Sequence, residues 1–382
     1  GYLIRSSGSY MLNKKKCSCG RFQYCNAANC QYGYAIKKRG STGRPVGRFG
    51  KLISENEPEE SSSEHRILQT RVQTTTAKSI ISTNNSPDIP WSKTVNPYIG
   101  CEHGCIYCYA RPTHAYYDLS PGLDFESRLF AKTNAAELLR YELSKPHYRP
   151  TTIGLGTNTD AYQPIERKYR ITHDILKTLQ EFQHPVSVLT KNSLILRDID
   201  ILTALAEEQL VEVHITLTSL NHQLSRILEP RASLPDARLE TIRQLSAAGV
   251  PVKAMFSPVI PGINDQEMLS VMTAARQAGA TCMGYILIRL PYEVRGLFAD
   301  WLAEYFPKNQ SEIMTRIDDC RDEGYRSFSF ATRMIGEGKI AQEMHAQFQL
   351  FFQTLGFREI TPAELNHTKF TRRYGSSQME LF

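Results

Sequence analysis

The stretch NPYIGCEHGCIYCYAR, residues 96 to 111, puts Cys101, Cys105 and Cys108 within eight positions and offers no fourth cysteine beside them. A zinc ion in a structural site takes four ligands, often as two C-x2-C pairs. Completing one here would draw on the distant Cys282 or Cys320, or on His103 or His114, the imidazoles near the motif. A [4Fe–4S] cluster takes one thiolate per iron, so three thiolates on one loop hold three irons and leave the fourth open for chemistry. Gly100 and Gly104 give such a loop the backbone freedom to wrap tightly.

The elements that position this loop read as βα units. Strand-like apolar runs stand at 151–156, 186–190, 211–217, 252–257 and 283–289, after a first strand near TVNPYI at 94–99. Helical patterns lie between them, among them DARLETIRQLSAAG, ending on Gly249, and DQEMLSVMTAARQAG, ending on Gly279. Each has Asp at its start and Gly at its end, as capping chemistry favours. Strand and helix alternating at roughly thirty residues give a parallel sheet, and about six such units favour a partial or complete βα barrel. Polar segments GTNTD, TKNS, TSLN and SPVIPGIND follow the second to fifth strands. In parallel α/β folds the active site lies at that end.

Composition sets the frame. The 382 residues are 41% apolar and 22% charged, as in a soluble globular protein, with a net charge of +6 that permits a nucleic-acid partner without requiring one. No apolar run approaches the roughly 20 residues that span a bilayer, and a cytoplasmic protein is expected. Nine clustered cysteines suggest metal or redox chemistry more than disulfides. Residues 1–90 carry a Gly/Arg-rich block and an acidic, Ser-rich block with little apolar period, so a flexible arm is expected there. The core is expected over 91–357 and a tail over 358–382.

The motif C-x3-C-x-aromatic-C, with Tyr107 as the aromatic residue, resembles that of the radical S-adenosylmethionine superfamily. The resemblance implies a partial (β/α)6 barrel, a [4Fe–4S] cluster on Cys101, Cys105 and Cys108, and S-adenosylmethionine chelating the open iron. It also implies an electron donor such as flavodoxin or ferredoxin. The wider GCIYCYAR is similar to the spore photoproduct lyase-like branch, over about residues 90 to 355. In that branch tyrosines flank the third cysteine; Tyr107 and Tyr109 match them and are expected to relay a hydrogen atom, shield the site or pack against it. Lys191, with Ser193 nearby, matches a lysine that pairs with the cofactor's carboxylate. Thr157, Asn158 and Asp160 match the segment that accepts its ammonium, and Thr216 and Thr218 are candidates for its ribose or carboxylate. Glu229, Arg231 and Arg238 read best as a salt-bridged structural loop, otherwise as binders of phosphate or cofactor.

One departure matters. Spore photoproduct lyase has a further cysteine some forty residues past the motif that returns a hydrogen to the product radical, whereas no cysteine lies here between Cys108 and Cys282. Cys282 is expected in the core. The reading is a monomeric radical enzyme acting on a nucleic-acid base; the alternatives are radical modification of RNA, a peptide or a protein, or a non-catalytic zinc or redox sensor. Cys17, Cys19, Cys25 and Cys30 fit no common ligand spacing well. The terminal QMELF resembles the peptide that bacterial repair proteins lay on the sliding clamp, with Gln378 for polar contacts and Leu381 and Phe382 for an apolar pocket.

Overall fold

The computed structural model describes residues 39–41, 43–48, 68–321, 330, 332–359 and 365–373. Its main sheet has seven strands: β2 (Ile81–Thr83), β3 (Lys93–Val95), β6 (Ile153–Leu155), β7 (Val186–Thr190), β8 (Val211–Leu217), β9 (Val252–Val259) and β10 (Cys282–Leu287). The order is β10-β9-β8-β7-β6-β3-β2; every pair from β3 to β10 is parallel, and β2 runs antiparallel on the outer edge of β3. Six parallel strands with helices between them make the partial (β/α)6 barrel. A smaller sheet joins β1 (Arg71–Thr75), β5 (Arg128–Lys132) and β4 (Tyr98–Ile99).

The core follows from side-chain alternation. Val186 and Val188, Val211 and Val213, and Val252 and Ala254 are fully buried in one cluster with the inner faces of the covering helices. In helix Ile171–Glu181 that face is Ile171, Ile175, Leu176 and Leu179; in Met268–Gln277 it is Met268, Val271, Met272 and Ala275, both at helical spacing. The opposite faces of the strands are polar and line the interior: Ser187, Glu212 and His214 are buried there, with Trp91 against His214 at 5.5 Å between ring centroids.

The strand expectations at 186–190 and 211–217 coincide with β7 and β8, and those at 252–257 and 283–289 shift by a residue or two. The expected first strand instead splits. β3 stops at Val95, and Tyr98–Ile99 turns away to pair with β5, because Pro97 has no N–H to continue the ladder and Asn96 Oδ1 accepts from Asn158 N at 2.8 Å. Gly249 and Gly279 end their helices at φ +80° and +107°. Asp236 is no cap: Leu234 takes that place, with Pro235 in the first turn.

The flexible arm expected over 1–90 is corrected at its described residues, 39–41, 43–48 and 68–90. Arg39, Gly40 and Ser41 are buried against the cysteine loop, where Gly40 N and Ser41 N donate to the Glu126 carboxylate at 2.9 and 2.8 Å. Polar composition hid this, because the segment is held by charge and backbone hydrogen bonds and not by apolar burial. β1, β2 and Ile80 likewise belong to the packed unit. The tail boundary at 358 also moves: Phe370 packs on Phe182 at 6.3 Å, and Asn366 N and Thr371 N bond to the carbonyls of Gln209 and Phe182, so the segment runs under the amino-terminal ends of the strands. Residues 17–30 and the QMELF tail lie outside the described residues.

Arg111 and Glu126, both fully buried, pair at 2.5 Å beneath the cysteine loop. Removing one partner of a buried pair costs about 3–5 kcal/mol, because the other is left charged and alone. Glu126→Ala is expected to lower the unfolding free energy by about that amount, read as a fall in the urea midpoint; a change under about 1 kcal/mol would show that the pair does not hold the fold.

Candidate active site

The cysteine loop leaves the short strand β4 and is nearly all buried, so its peptide groups need partners. Gly100 and Gly104 turn it at φ +76° and +70°. Both positions exclude a side chain: an added Cβ would lie 2.5 Å from Leu129 Cδ2 at Gly100, and 2.7 Å from Glu126 Oε2 at Gly104. Arg111 gathers the carbonyls of Gly104, Cys105, Pro121 and Gly122 at 2.9–3.2 Å. Gln163 clamps the start of the loop, donating to Gly100 O at 3.0 Å and accepting from Glu102 N at 2.9 Å. Arg231 pairs with Glu102 at 2.9 Å and donates its backbone N–H to His103 O at 3.2 Å.

Two carboxylates carry the rest, Asp160 largely enclosed and Glu229 buried. Asp160, after β6, accepts from Thr190 Oγ1 at 2.7 Å and Lys191 N at 2.8 Å and lies 3.3 Å from His103 Nδ1. Burial alone would raise its carboxyl, but His103 and these donors outweigh it and hold it at about 2. Glu229 pairs with the buried Arg238 and accepts from Thr218 Oγ1 at 2.6 Å and from the Tyr107 hydroxyl. Here too burial pushes up, while Arg238, Lys191 and the two hydroxyls pull the carboxyl down to about 2.

Cys101, Cys105 and Cys108 are free thiols, the first two buried and the third partly exposed. Burial raises all three above the ordinary thiol value; Asp160 and the neighbouring cysteines add to this at Cys101, and Glu229 adds to it at Cys105. Anionic sulfur is therefore disfavoured in the bare protein, and a cation bound here would displace protons. Among the described residues no three His, Cys, Asp or Glu side chains converge on a point where one metal ion could sit. A cluster makes no such demand, since each thiolate binds its own iron. Lys191 supplies a positive charge near Cys105, Cys108 and Glu229, and its ammonium has no hydrogen-bond or ion-pair partner among the described residues. Three thiols on one rigid loop beside an uncommitted ammonium fit a three-thiolate cluster whose fourth iron takes an anionic chelator.

The expected site residues divide. Tyr107 is buried, and its hydroxyl is bound to Glu229 and lies 3.4 Å from Thr218, so it anchors the loop. Tyr109 is 48% exposed, donates to Thr157 O and has the Arg289 guanidinium 5.2 Å from its ring centroid. Asp160 is a correction: its oxygens are engaged by protein donors, so it positions the loop and is not left to receive an ammonium. Thr157 Oγ1 accepts from Asn96 at 3.5 Å, and the Asn158 side chain has no hydrogen-bond partner among the described residues. Ser193 Oγ meets Ser233 Oγ at 3.2 Å, and Thr216 gives its carbonyl to Arg238 at 3.0 Å. Glu229 and Arg238 form the expected structural ion pair, while Arg231 turns to Glu102.

Neither distant cysteine completes a zinc site at this loop. Cys282 begins β10, about 17 Å from its carboxyl end at the usual rise per residue, and is buried in the core. His103 has its ring nitrogens on Asp160 and Asn192, and His114, held by burial at about 4, bonds Arg128 O. Arg111, Glu126, Gln163 and Glu102 are the residues the sequence reading missed. Arg111 is the last residue of GCIYCYAR, three positions past the third cysteine, which was the available signal; the others become visible only when the chain is folded.

The model of the Radical SAM superfamily matches residues 95–275. An uncharacterised protein of Mycobacterium tuberculosis is 38% identical over 229 residues, 59% of this chain and 66% of that protein, so the match spans just under two thirds of the relative's length. An uncharacterised protein of Methanocaldococcus jannaschii is 31% identical over 186 residues, 48% of this chain and 67% of its own. Among solved structures, spore photoproduct lyase complexed with dinucleoside spore photoproduct superposes with a TM-score of 0.55 at 12% identity, covering 80% of this chain and 86% of that one. At that identity the likeness is one of fold.

Glu229 offers a test of the anchoring. Its carboxyl lies at about 2 against an ordinary 4.5, so its contribution is present above about pH 4.5 and is lost as pH falls toward 2. Glu229→Gln is expected to lower stability at pH 7 by about 3 kcal/mol and to flatten the acid limb of the metal-free protein's stability curve. Denaturant unfolding between pH 7 and pH 3 reads both, and parallel curves for variant and wild type would rule the anchor out.

Proposed function

From the premise that this chain belongs to the radical S-adenosylmethionine superfamily, we propose that it holds a [4Fe–4S] cluster on Cys101, Cys105 and Cys108 and uses S-adenosylmethionine to act on a nucleic-acid base. The observation that carries the reading is the rigid three-thiol loop beside the Lys191 ammonium, which has no hydrogen-bond or ion-pair partner among the described residues. When bound, the cluster supplies one electron that cleaves S-adenosylmethionine to methionine and a 5′-deoxyadenosyl radical. The chain's part is to bind, orient and exclude water. Burial of Cys101 and Cys105 keeps solvent from the thiols, and Gln163, Arg111 and Glu126 fix the loop that carries them. Lys191 is the cation for the cofactor's carboxylate, a charge-assisted pairing. Asn158, Ser193 and Thr216 stand on the loops and strand end around it, and Tyr109 presents a half-exposed ring at the mouth.

For the substrate, support comes from the net charge of +6 and from the terminal QMELF, read as a sliding-clamp peptide. A cytoplasmic setting and an electron donor of the flavodoxin or ferredoxin kind belong to the same proposal. Spore photoproduct itself is not proposed as substrate, because no cysteine lies between Cys108 and Cys282 and Cys282 sits at the far end of its strand.

Anaerobic reconstitution with iron and sulfide, followed by reduction with S-adenosylmethionine, is expected to yield 5′-deoxyadenosine in wild type and none in Cys105→Ala. Lys191→Ala is expected to keep the brown cluster and to raise the KM for S-adenosylmethionine about 10-fold or more, as loss of a charged hydrogen bond costs about 1.5–3 kcal/mol. Product formation by Cys105→Ala would overturn the assignment, and an unchanged KM would remove Lys191 from it. Iron-free, sulfide-free protein holding zinc would return the loop to the structural reading.

A further inference from the structure

The barrel is incomplete, and its open side lies between the edge strands β10 and β2. At this seam the chain after β10 brings together Arg289, Arg321 and Arg333. Arg321 is fully used in building the turn: it donates to Arg333 O at 3.0 Å and to Ile288 O at 2.6 Å. Arg333 grips Asp88, in the loop before β3, through two hydrogen bonds, one of 2.5 Å, and so ties the two sides of the seam together. Arg289 has nothing comparable. Its guanidinium lies over the Tyr109 ring and makes no hydrogen bond or ion pair with any described residue.

That is an unfavourable place for an isolated cation. Arg289 is partly buried beside Arg333 and Arg321, and Asp88, the acid that reaches it, is already held by Arg333. Burial and Arg333 both lower its affinity for its own proton. A guanidinium carries five N–H donors, and those of Arg289 are not sealed in the interior, so they stay open to a ligand. An anion would satisfy them and relieve the repulsion.

The surroundings say which anion. Tyr109 follows the third cysteine directly, so Arg289 stands at the cysteine-loop end of the barrel. The rings of Tyr109 and Phe330 are 48% and 46% exposed, and the Arg333 guanidinium lies 4.7 Å from the Phe330 centroid. Exposed aromatic faces interleaved with arginines hold single nucleic-acid strands, the rings stacking on bases and the cations tracking the backbone. Guanidinium is also the side chain that matches a phosphate bidentately.

We propose that Arg289 binds a backbone phosphodiester of the nucleic-acid substrate at the barrel seam, with Tyr109 and Phe330 as the flanking stacking faces. The proposal rests on the nucleic-acid reading above and adds where the strand's backbone is held.

The test is fluorescence anisotropy of a dye-labelled single-stranded DNA, run in parallel on RNA, with the full chain over a range of salt. Arg289→Ala is expected to weaken binding about 10-fold and to reduce the slope of log K against log salt by about 0.7, the share of one phosphate on a single strand. Arg289→Lys is expected to keep the slope and lose part of the affinity, because the charge stays and the fork goes; it decides the matter should the alanine variant fold poorly. Arg243→Ala, at an exposed arginine paired with Glu240 on helix Pro235–Ala247, is expected to bind as wild type does. A methylphosphonate strand, neutral along its backbone, is expected to bind wild type and Arg289→Ala alike. Wild-type affinity and slope in Arg289→Ala, or an equal loss in Arg243→Ala, overturns the phosphate site while the nucleic-acid reading stands. Wild type that retains neither strand overturns that reading and the phosphodiester assignment with it.

Discussion

A loop that must hold three thiols apart cannot be a helix or a strand, yet this one is buried almost throughout, and buried peptide groups must be hydrogen-bonded. That constraint organises the structure. Ladder partners being unavailable, the loop is held from outside by long polar side chains: Arg111 on the carbonyls of Gly104 and Cys105, Gln163 on Gly100 and Glu102, and the Arg231 backbone on His103. Each comes from a different stretch of chain, so the loop has its shape only once the barrel has formed.

Charged holders need charged partners. Arg111 lies on Glu126, Arg231 on Glu102, and Arg238 on Glu229, which in turn fixes Tyr107. Such pairs contribute little net stability after desolvation, and apolar substitutes would pack as well. What apolar groups could not do is satisfy the loop's carbonyls and amides. The same pairs keep a thiol-rich pocket electrically balanced, with Lys191 as the cation left over among the described residues. The uncommitted ammonium and the bare thiols thus stand together while Glu126, Glu102 and Glu229 around them are already paired.

What was legible in the sequence follows the range of the forces. β7 and β8 could be read to the residue because each is a short apolar run set between turn formers. The three cysteines and their glycines could be read because the spacing is local and chemical. Residues 39–41 could not: they lack apolar period, and they are held by Glu126, which stands 85 positions from Ser41. The resemblance offers Asp160 as an acceptor for the cofactor's ammonium, but its partners, Thr190 and Lys191 N, come from the next βα unit. Glu126 and Gln163 gave no sign at all, since a buried acid and a surface acid look alike until the chain closes over one of them.

The barrel's incompleteness carries the same reasoning to the substrate side. A closed eight-stranded barrel fills its interior with side chains; six strands leave a seam, and the chain has to decide what stands in it. Here Trp91 packs in the interior against His214, and the Arg333–Asp88 pair spans the gap, joining residues 245 apart in sequence. A bidentate ion pair is a closure that an incoming anion can compete with, because arginine that holds a carboxylate can equally hold a phosphate. Arg289 beside it, with no carboxylate of its own among the described residues, adds a positive charge at the seam that a packed apolar closure would lack. The strand edges that the fold leaves open and the arginine without an ion pair among the described residues fall at the same place, at the cysteine-loop end of the barrel.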